Sequence, residues 1–169
     1  MIRFWKKRFA EGLKTEPSEA DASLEALRRE VKKGIARHFA GSLAIRMVDS
    51  GSCNACEAEC NALSNPYYDL DRLGIYFVAS PRHADILLVS GVVTANMYHH
   101  LADAYEQLPS PKWVVTLGDC ARLDTLFEAS FAVRGPVADL IPVAYHIEGC
   151  PPTPAQIIEG LVTFLETLD

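Results

Sequence analysis

The sequence predicts an α/β protein with a mostly parallel open sheet that is covered by helices on both faces. Five short apolar runs have the length of β-strands, and helical patterns lie between several of them. The runs do not clearly alternate between apolar and polar residues, which is typical of strands buried on both sides. At 169 residues, with 49% hydrophobic residues, the chain is long enough for one domain with a substantial core and a terminal extension.

Residues 1–41 are predicted to form an amphipathic, helical N-terminal extension with a linker. Residues 1–14 combine aromatic and aliphatic side chains with five basic ones, a composition typical of helices that lie on a membrane surface or contact a partner. Residues 14–22 are polar and include Pro17, which favours a linker. Residues 24–39 repeat apolar side chains at steps of three and four, so a helix is predicted there.

Residues 42–169 are predicted to form the sheet domain. The five predicted strands are residues 42–48, 74–78, 85–89, 113–117 and 141–145. Helices are predicted at residues 95–108 and 154–168. In open sheets of this kind, ligand sites form in the loops at the carboxyl ends of the strands, so the residues that carry chemistry are expected in those loops.

Charge and hydropathy exclude several classes of function. The net charge is −6 and the basic residues form no long stripe, which argues against nucleic-acid binding. The longest nearly uncharged apolar run, residues 84–98, is shorter than the ~20 residues of a membrane-spanning helix. The N-terminus does not have the pattern of a secretory signal, so the protein is expected in the cytoplasm, where disulfides are rare.

Four of the five cysteines follow predicted strands. Cys53 and Cys56 form a C-x2-C pair after the first strand, whereas Cys120 follows the fourth strand and Cys150 the fifth. The carboxyl ends of parallel strands share one edge, so these four thiols are expected to meet there.

Three kinds of site are compatible with this cysteine pattern. Four thiolates complete the coordination of one [4Fe–4S] cluster or of one Zn²⁺ ion. Structural zinc sites usually use two closely spaced pairs, so one pair followed by two single cysteines favours a cluster. A thioredoxin-like dithiol at Cys53 and Cys56 is the third alternative, and it would leave the other two cysteines without a role.

Several linked motifs resemble a known family. The stretches SCNACEAE, ASPRHADILLVSG, TLGDCA, FAVRGPVADLIPV and GCPPTP occur in the order, and at about the separations, seen in one small electron-transfer subunit. That subunit is shared by group 4 membrane-bound [NiFe] hydrogenases, including formate hydrogenlyase, and by respiratory complex I. The resemblance covers roughly residues 43–168. It implies a flavodoxin-like domain that binds one [4Fe–4S] cluster through Cys53, Cys56, Cys120 and Cys150.

The first motif resembles the hydrogenase branch more than the complex I branch. Complex I members typically carry two adjacent cysteines there, whereas hydrogenase members carry C-N-G-C-D-x-E; this chain has C-N-A-C-E-A-E. The PRHAD stretch also resembles the hydrogenase form. Ala55, Glu57 and Val92 depart from the usual glycine, aspartate and proline, and these departures leave all four cysteines in place.

The resemblance implies an electron-transfer subunit of a membrane-bound [NiFe] hydrogenase complex. Its cluster would relay electrons between a ferredoxin-like iron–sulfur subunit and the catalytic [NiFe] large subunit. The N-terminal segment would contact membrane subunits, and the complex would lie on the cytoplasmic side of the cell membrane. One alternative is a complex I-like NADH/quinone oxidoreductase subunit with the terminal [4Fe–4S] cluster. A more remote alternative is a structural zinc-binding scaffold.

Three residues of the first motif have separate expected roles. Glu59 matches the glutamate of the family's C-x2-C-x-x-E pattern, which implies a proton-path residue at the large-subunit interface; a helix-capping or ion-pair role is the alternative. Glu57 is expected to face solvent or a partner. Cys60 is expected to be a small buried side chain.

Three residues of other motifs are further candidates. Arg82 and His83 precede a buried strand, and a role in tuning the cluster potential competes with plain anchoring of the loop. Asp119 is expected to cap the short helix that follows it.

Overall fold

The computed structural model describes residues 2–12, 19–123, 127 and 130–168. The helices and strands in these residues are, in chain order, α1 (Ile2–Glu11), α2 (Glu19–His38), β1 (Leu43–Asp49), α3 (Ala55–Ala62), β2 (Ile75–Phe77), β3 (Ile86–Ser90), β4 (Val93–Thr94), α4 (Tyr98–Gln107), β5 (Trp113–Leu117), β6 (Val133–Gly135), β7 (Tyr145–Ile147) and α5 (Pro154–Glu166). Short 3₁₀ helices lie at Leu70–Leu73, Pro81–His83, Asp119–Arg122 and Val137–Asp139.

The main sheet contains five strands in the order β2-β1-β3-β5-β7, and every neighbouring pair is parallel. Counted within this sheet, the order is 2-1-3-4-5, which is that of flavodoxin-like doubly wound sheets. The predicted α/β class is therefore confirmed. Strands β4 and β6 form a separate antiparallel pair.

Both faces of the sheet are buried. Successive side chains of a strand point to opposite faces, so a strand that is buried at every position has both of its faces covered. All five residues of β3 are buried. Ile86 and Leu88 belong to the apolar cluster that includes residues of α2, α3 and α5, whereas Leu87 and Val89 belong to the cluster on the other face with Leu101 of α4. This two-sided burial explains why the strand sequences are continuously apolar.

Helix α2 packs against α5 and contributes to the core. Val31 and Ile35 are fully buried in the same cluster as Phe164. A Cβ added at Gly34 would lie 3.0 Å from Leu165 Cδ1, so the absence of a side chain lets the two helices approach. The division at residues 41 and 42 remains a prediction, and α2 contributes its apolar face to the core of the second part.

The predicted linker overlaps α2 in sequence. Residues 14–18 lie outside the described residues, and helix α2 begins at Glu19 rather than after residue 22.

Four predicted strands lie within one residue of the observed ones, and the fifth was placed too early. It was predicted at residues 141–145, whereas β7 is Tyr145–Ile147. Pairing with β5 starts where the Ala144 N–H donates to the Val114 carbonyl at 2.8 Å. Pro142 has no N–H to donate, and Ile141 packs into a core cluster. The apolar run of residues 141–145 therefore consists mostly of residues that precede the strand, and it includes only the first residue of the strand itself.

Helix α1 presents aromatic side chains on its surface. Trp5 is 51% exposed and Phe9 is 82% exposed, and their rings stack with 6.2 Å between centroids. Of the helices in the described residues, none combines the length and the apolar character that a membrane span requires.

Candidate metal centre

Four cysteines lie on three loops at the carboxyl edge of the sheet. Cys53 and Cys56 follow β1, Cys120 lies in the 3₁₀ helix after β5, and Cys150 follows β7. Cys53 and Cys150 are exposed, Cys120 is half-buried and Cys56 is buried. The structure thus brings together the four residues that the sequence singled out, with one side of the group open to solvent.

The loop before α3 is shaped by short side-chain hydrogen bonds. Asp49 Oδ1 accepts the N–H groups of Gly51, at 2.8 Å, and Ser52, at 2.7 Å. Ser52 Oγ in turn accepts the Asn54 N–H at 3.0 Å, and Asn54 adopts the left-handed conformation with φ of 71°. These bonds turn the chain sharply after β1, so that Cys53 lies in the turn and Cys56 in the first turn of α3.

Gly118 is the point at which the cysteine loops meet. A Cβ added there would lie 2.6 Å from Cys56 Sγ and 3.3 Å from the Gly149 carbonyl oxygen. Its backbone conformation, φ of 82° and ψ of 152°, is one that essentially only glycine adopts. The missing side chain is therefore what lets the Cys56 thiol approach the loop that carries Cys120.

Asp119 joins the Cys120 loop to the Cys150 loop. Its Oδ1 accepts the Gly149 N–H at 2.7 Å, and its own N–H donates to the Gly149 carbonyl at 3.0 Å. The N-cap of the 3₁₀ helix is Gly118, so the expectation that Asp119 caps this helix was wrong. The sequence carries no local signal for a bond between residues thirty positions apart.

The electrostatics of the thiols reflect this proximity. Burial and then the charges of Glu57, Cys120, Cys53 and Cys150 together raise the pKa of Cys56 to about 12. Burial, followed by Cys150 and Cys53, also raises the pKa of Cys120. Four thiolates in this arrangement would repel one another, and a bound cationic group such as iron would compensate this repulsion.

The donor set fits an iron–sulfur cluster. As the side chains stand, the described residues include no group of three or more Cys, His, Asp or Glu that could hold a single metal ion. The fit depends instead on four thiols carried by three loops, and on Gly118, whose missing side chain leaves room for the Cys56 thiol. Thiolates are the usual ligands of such clusters.

Cys60 lies one helical turn beyond Cys56 and outside this group. It is 2% exposed and packs in the core cluster, as predicted for a small buried side chain. Burial raises its pKa to about 12, and the charges that act on it are those of Cys56, Glu57 and Glu59. Cys53, Cys120 and Cys150 are not among them.

Glu57 points into the fold, and the expectation that it faces solvent or a partner was wrong. The Ser90 hydroxyl, at the end of β3, donates to Glu57 Oε1. The orientation follows from α3, which begins at Ala55 and directs this position toward the carboxyl edge of the sheet. Glu59, two residues further on, is half-buried, and its role stays a prediction.

Arg82 and His83 lie at the amino-terminal ends of the strands, opposite to the end that carries the cysteines. Both are exposed, and they form a 3₁₀ helix that precedes β3, whereas the thiols follow the carboxyl ends of the strands. Arg82 Nε donates to Gln107 Oε1 at 3.3 Å. A five-residue parallel strand rises about 16 Å, too far for a hydrogen bond to a cluster sulfur. The tuning role assigned to these two residues does not fit this placement, and the loop-anchoring alternative does.

The fold and site together define a class of protein. A doubly wound α/β domain with four thiols on the loops at the carboxyl edge of its sheet is typical of iron–sulfur subunits of oxidoreductase complexes. Within that class, the chain belongs to the family described as NADH ubiquinone oxidoreductase, 20 Kd subunit, whose profile matches residues 53–164. Membership makes the chain a subunit of an oxidoreductase complex and implies an iron–sulfur cluster.

Individual relatives confirm the resemblance seen in the motifs. The chain is 45% identical, over 121 residues, to the probable membrane-bound hydrogenase subunit mbhJ of Pyrococcus furiosus, which is 72% of either chain. It is 37% identical, over 153 residues, to formate hydrogenlyase subunit 7 of Escherichia coli; this is 90% of the present chain and 58% of that protein. The chain thus spans little more than half the length of the second relative.

A solved structure shows the same fold. The chain resembles, with a TM-score of 0.68 and 30% identity, a chain of the membrane-bound sulfane sulfur reductase, an archaeal respiratory membrane complex. The similarity covers 82% of this chain and 76% of that one.

Proposed function

We propose that the protein is the electron-transfer subunit of a membrane-bound [NiFe] hydrogenase and that it binds one [4Fe–4S] cluster through Cys53, Cys56, Cys120 and Cys150. The observation that supports this proposal is the placement of the four cysteines on three loops at the carboxyl edge of the sheet, with the Cys56 thiol against Gly118. The relationship to a probable membrane-bound hydrogenase subunit supports the choice of complex.

The chain's own residues bind and position the cofactor. A bound [4Fe–4S] cluster supplies one-electron redox chemistry. The buried Cys56 thiol would hold it against the fold, while the exposed Cys53 and Cys150 lie on the side open to partners. That open side is where a ferredoxin-like iron–sulfur subunit and the [NiFe] large subunit would approach, and hydrogen chemistry would take place in the large subunit. Glu59 remains our proposal for a proton-path residue at that interface.

A complex I-like subunit that delivers electrons to quinone is the second candidate function. The family profile and the similarity to a respiratory membrane complex favour it. The two-residue gap between Cys53 and Cys56 favours the hydrogenase, since complex I members typically have adjacent cysteines at this site.

Anaerobic purification of the full chain tests the cofactor. We expect a brown protein with about four iron and four sulfide ions per chain and an EPR signal on reduction, because four thiolates complete the coordination of one cubane cluster. A colourless protein loaded with zinc would support the alternative of a structural zinc-binding scaffold and contradict both redox functions. The complex is then purified with its large subunit and assayed for hydrogen turnover and for quinone reduction. The activity that is found decides between the two redox functions.

Helix α1 is proposed to attach the subunit to the membrane part of a complex on the cytoplasmic side of the cell membrane. Its exposed Trp5 and Phe9 offer apolar surface, and the basic residues at positions 3, 6 and 7 complement the anionic headgroups of that side. These charges are concentrated in a chain whose net charge is −6. The attraction of α1 to an anionic membrane surface thus opposes the repulsion between that surface and the rest of the negatively charged molecule.

Removal of residues 2–12 is expected to release the protein from membranes and to leave the cluster in place. We expect the membrane-bound fraction to fall roughly tenfold or more, since apolar and basic contributions are lost together. Fractionation of cells that express the full complex measures this, with iron per chain as the control. A matched variant, Trp5→Glu with Phe9→Glu, keeps the chain length and is expected to give the same result. Retention of either variant at the wild-type level would contradict the role proposed for α1.

A further inference from the structure

A half-buried carboxylate and a buried hydroxyl form a pair next to Cys56, and none of the roles described above uses it. Glu57 directly follows Cys56 in the first turn of α3. Ser90 ends β3, the strand between β1 and β5, and is fully buried. The Ser90 hydroxyl donates to Glu57 Oε1, while Glu57 Oε2 is buried and has no hydrogen-bond donor among the residues that the structure describes.

Ser90 is itself held firmly in place. Its carbonyl accepts the Ser50 N–H at 2.9 Å and the Ser50 hydroxyl at 2.7 Å. The Ser50 hydroxyl also lies 3.0 Å from the Gly91 carbonyl, and Ser50 is as deeply buried as Ser90. A chain of contacts thus runs from the end of β1 through the end of β3 to the Glu57 carboxylate. The position of the carboxylate is therefore set by the core of the sheet rather than by solvent.

Glu57 is the residue directly after Cys56 in α3, and its contact with Ser90 holds its carboxylate at the carboxyl edge of the sheet, where the cysteine loops lie. A buried carboxylate with one oxygen lacking a donor is poorly compensated, and charges interact strongly in a medium of low dielectric constant. Adding an electron to a cluster adds negative charge, so a fixed carboxylate beside it makes reduction less favourable.

We propose that Glu57 is a positioning residue whose carboxylate, anchored by the Ser90 hydroxyl, lowers the reduction potential of the cluster bound at Cys56. This inference rests on the proposed function, because it requires that cluster. It gives the Glu57–Ser90 pair a tuning role that the placement of Arg82 and His83 before β3 does not favour for those residues. The effect is electrostatic and depends on where the carboxylate is held.

An EPR-monitored redox titration of the anaerobically purified full chain tests this. Glu57→Gln keeps the shape and the contact with Ser90 but removes the charge, and we expect its midpoint potential to be more positive than that of the wild type. Glu59→Gln is the matched control, because it removes a charge from the same helix and leaves the Glu57–Ser90 contact intact, and a smaller shift is expected. Equal shifts in the two variants, or no shift in Glu57→Gln, would overturn the proposal.

Ser90→Ala separates anchoring from charge. The charge remains, but without its anchor the carboxylate is expected to turn toward solvent, so the potential should shift in the same direction by less than in Glu57→Gln. The shifts of Glu57→Gln and Ser90→Ala should not add in the double variant, because both remove the same fixed charge. Full additivity would overturn the anchoring role.

The two levels of proposal fail in different ways. A wild-type chain without an iron–sulfur EPR signal contradicts the proposed function, whereas a normal wild-type signal with an unchanged Glu57→Gln potential contradicts only this inference. If Glu57→Gln is isolated without a cluster, Glu57→Asp and Ser90→Ala decide the matter. Glu57→Asp retains the charge on a shorter side chain that withdraws from Ser90. Positive shifts in both variants support the proposal, and wild-type potentials in both overturn it.

Discussion

Serine at any one of positions 53, 56, 120 or 150 is expected to abolish assembly of the complete cluster, whereas Cys60→Ser retains it. Serine is nearly isosteric with cysteine, but its hydroxyl stays protonated at neutral pH and is a much poorer ligand for iron than a thiolate. Each of the four substitutions removes a quarter of the protein ligands. We therefore expect iron and sulfide per chain, and the EPR signal on reduction, to fall to a small fraction of wild-type values.

The pair Cys56 and Cys60 makes this test specific. Both thiols are buried on α3, one helical turn apart, and burial raises the pKa of both to about 12. Only Cys56 interacts with Cys53, Cys120 and Cys150. Cys60→Ser should cost about 1–3 kcal/mol of stability, because it buries a hydroxyl in an apolar cluster, and should keep its iron. Loss of the cluster from Cys60→Ser, or a full complement of iron in Cys120→Ser, would contradict the ligand assignment.

Gly118→Ala is expected to destabilise the fold and to expel the cluster together. The backbone conformation at this position strains any residue with a Cβ by about 1–3 kcal/mol. The new Cβ would also lie 2.6 Å from Cys56 Sγ, a distance at which one of the two atoms must move. The combined cost should be roughly 2–4 kcal/mol, or a fall of about 4–16 °C in the melting temperature for a chain of this size.

Gly41→Ala is the matched control for this substitution. Gly41 also has a positive φ, 92°, but no atom lies within 4 Å of the position that its Cβ would occupy. This variant should lose stability from backbone strain alone and should bind iron at the wild-type level. Thermal unfolding and iron content, measured on both variants, separate strain from displacement of the thiol. A Gly118→Ala protein with wild-type iron content would contradict the view that this glycine makes room for Cys56.

The sheet could be predicted from the sequence because its signal is local. The β5 prediction at residues 113–117 matches the structure, since a short apolar run between turn residues reflects burial on both faces. The β7 prediction was displaced because Ile141 is buried without belonging to the strand. Apolar character reports burial, and only hydrogen bonding to β5 defines where the strand begins.

The candidate site was predictable in part for a similar reason. Cysteines that follow strands are expected at one edge of a parallel sheet, so the grouping of Cys53, Cys56, Cys120 and Cys150 follows from strand order and position. Arg82 and His83 were considered as tuning residues because they precede a buried strand and carry N–H donors, but the residues before β3 lie at the end of the sheet opposite to the cysteines. The direction of the strand, more than the presence of the motif, decides which end a residue occupies.

The sequence alone determined the α/β class, the family and the identity of the four clustered cysteines, because each of these depends on residue type and on spacing along the chain. The tertiary structure alone decided that Asp119 binds the Gly149 loop and that Glu57 lies against Ser90. These contacts join residues about thirty positions apart through single side-chain atoms. Their formation depends on the orientation of α3 and on the meeting of loops from neighbouring strands, which no local pattern encodes.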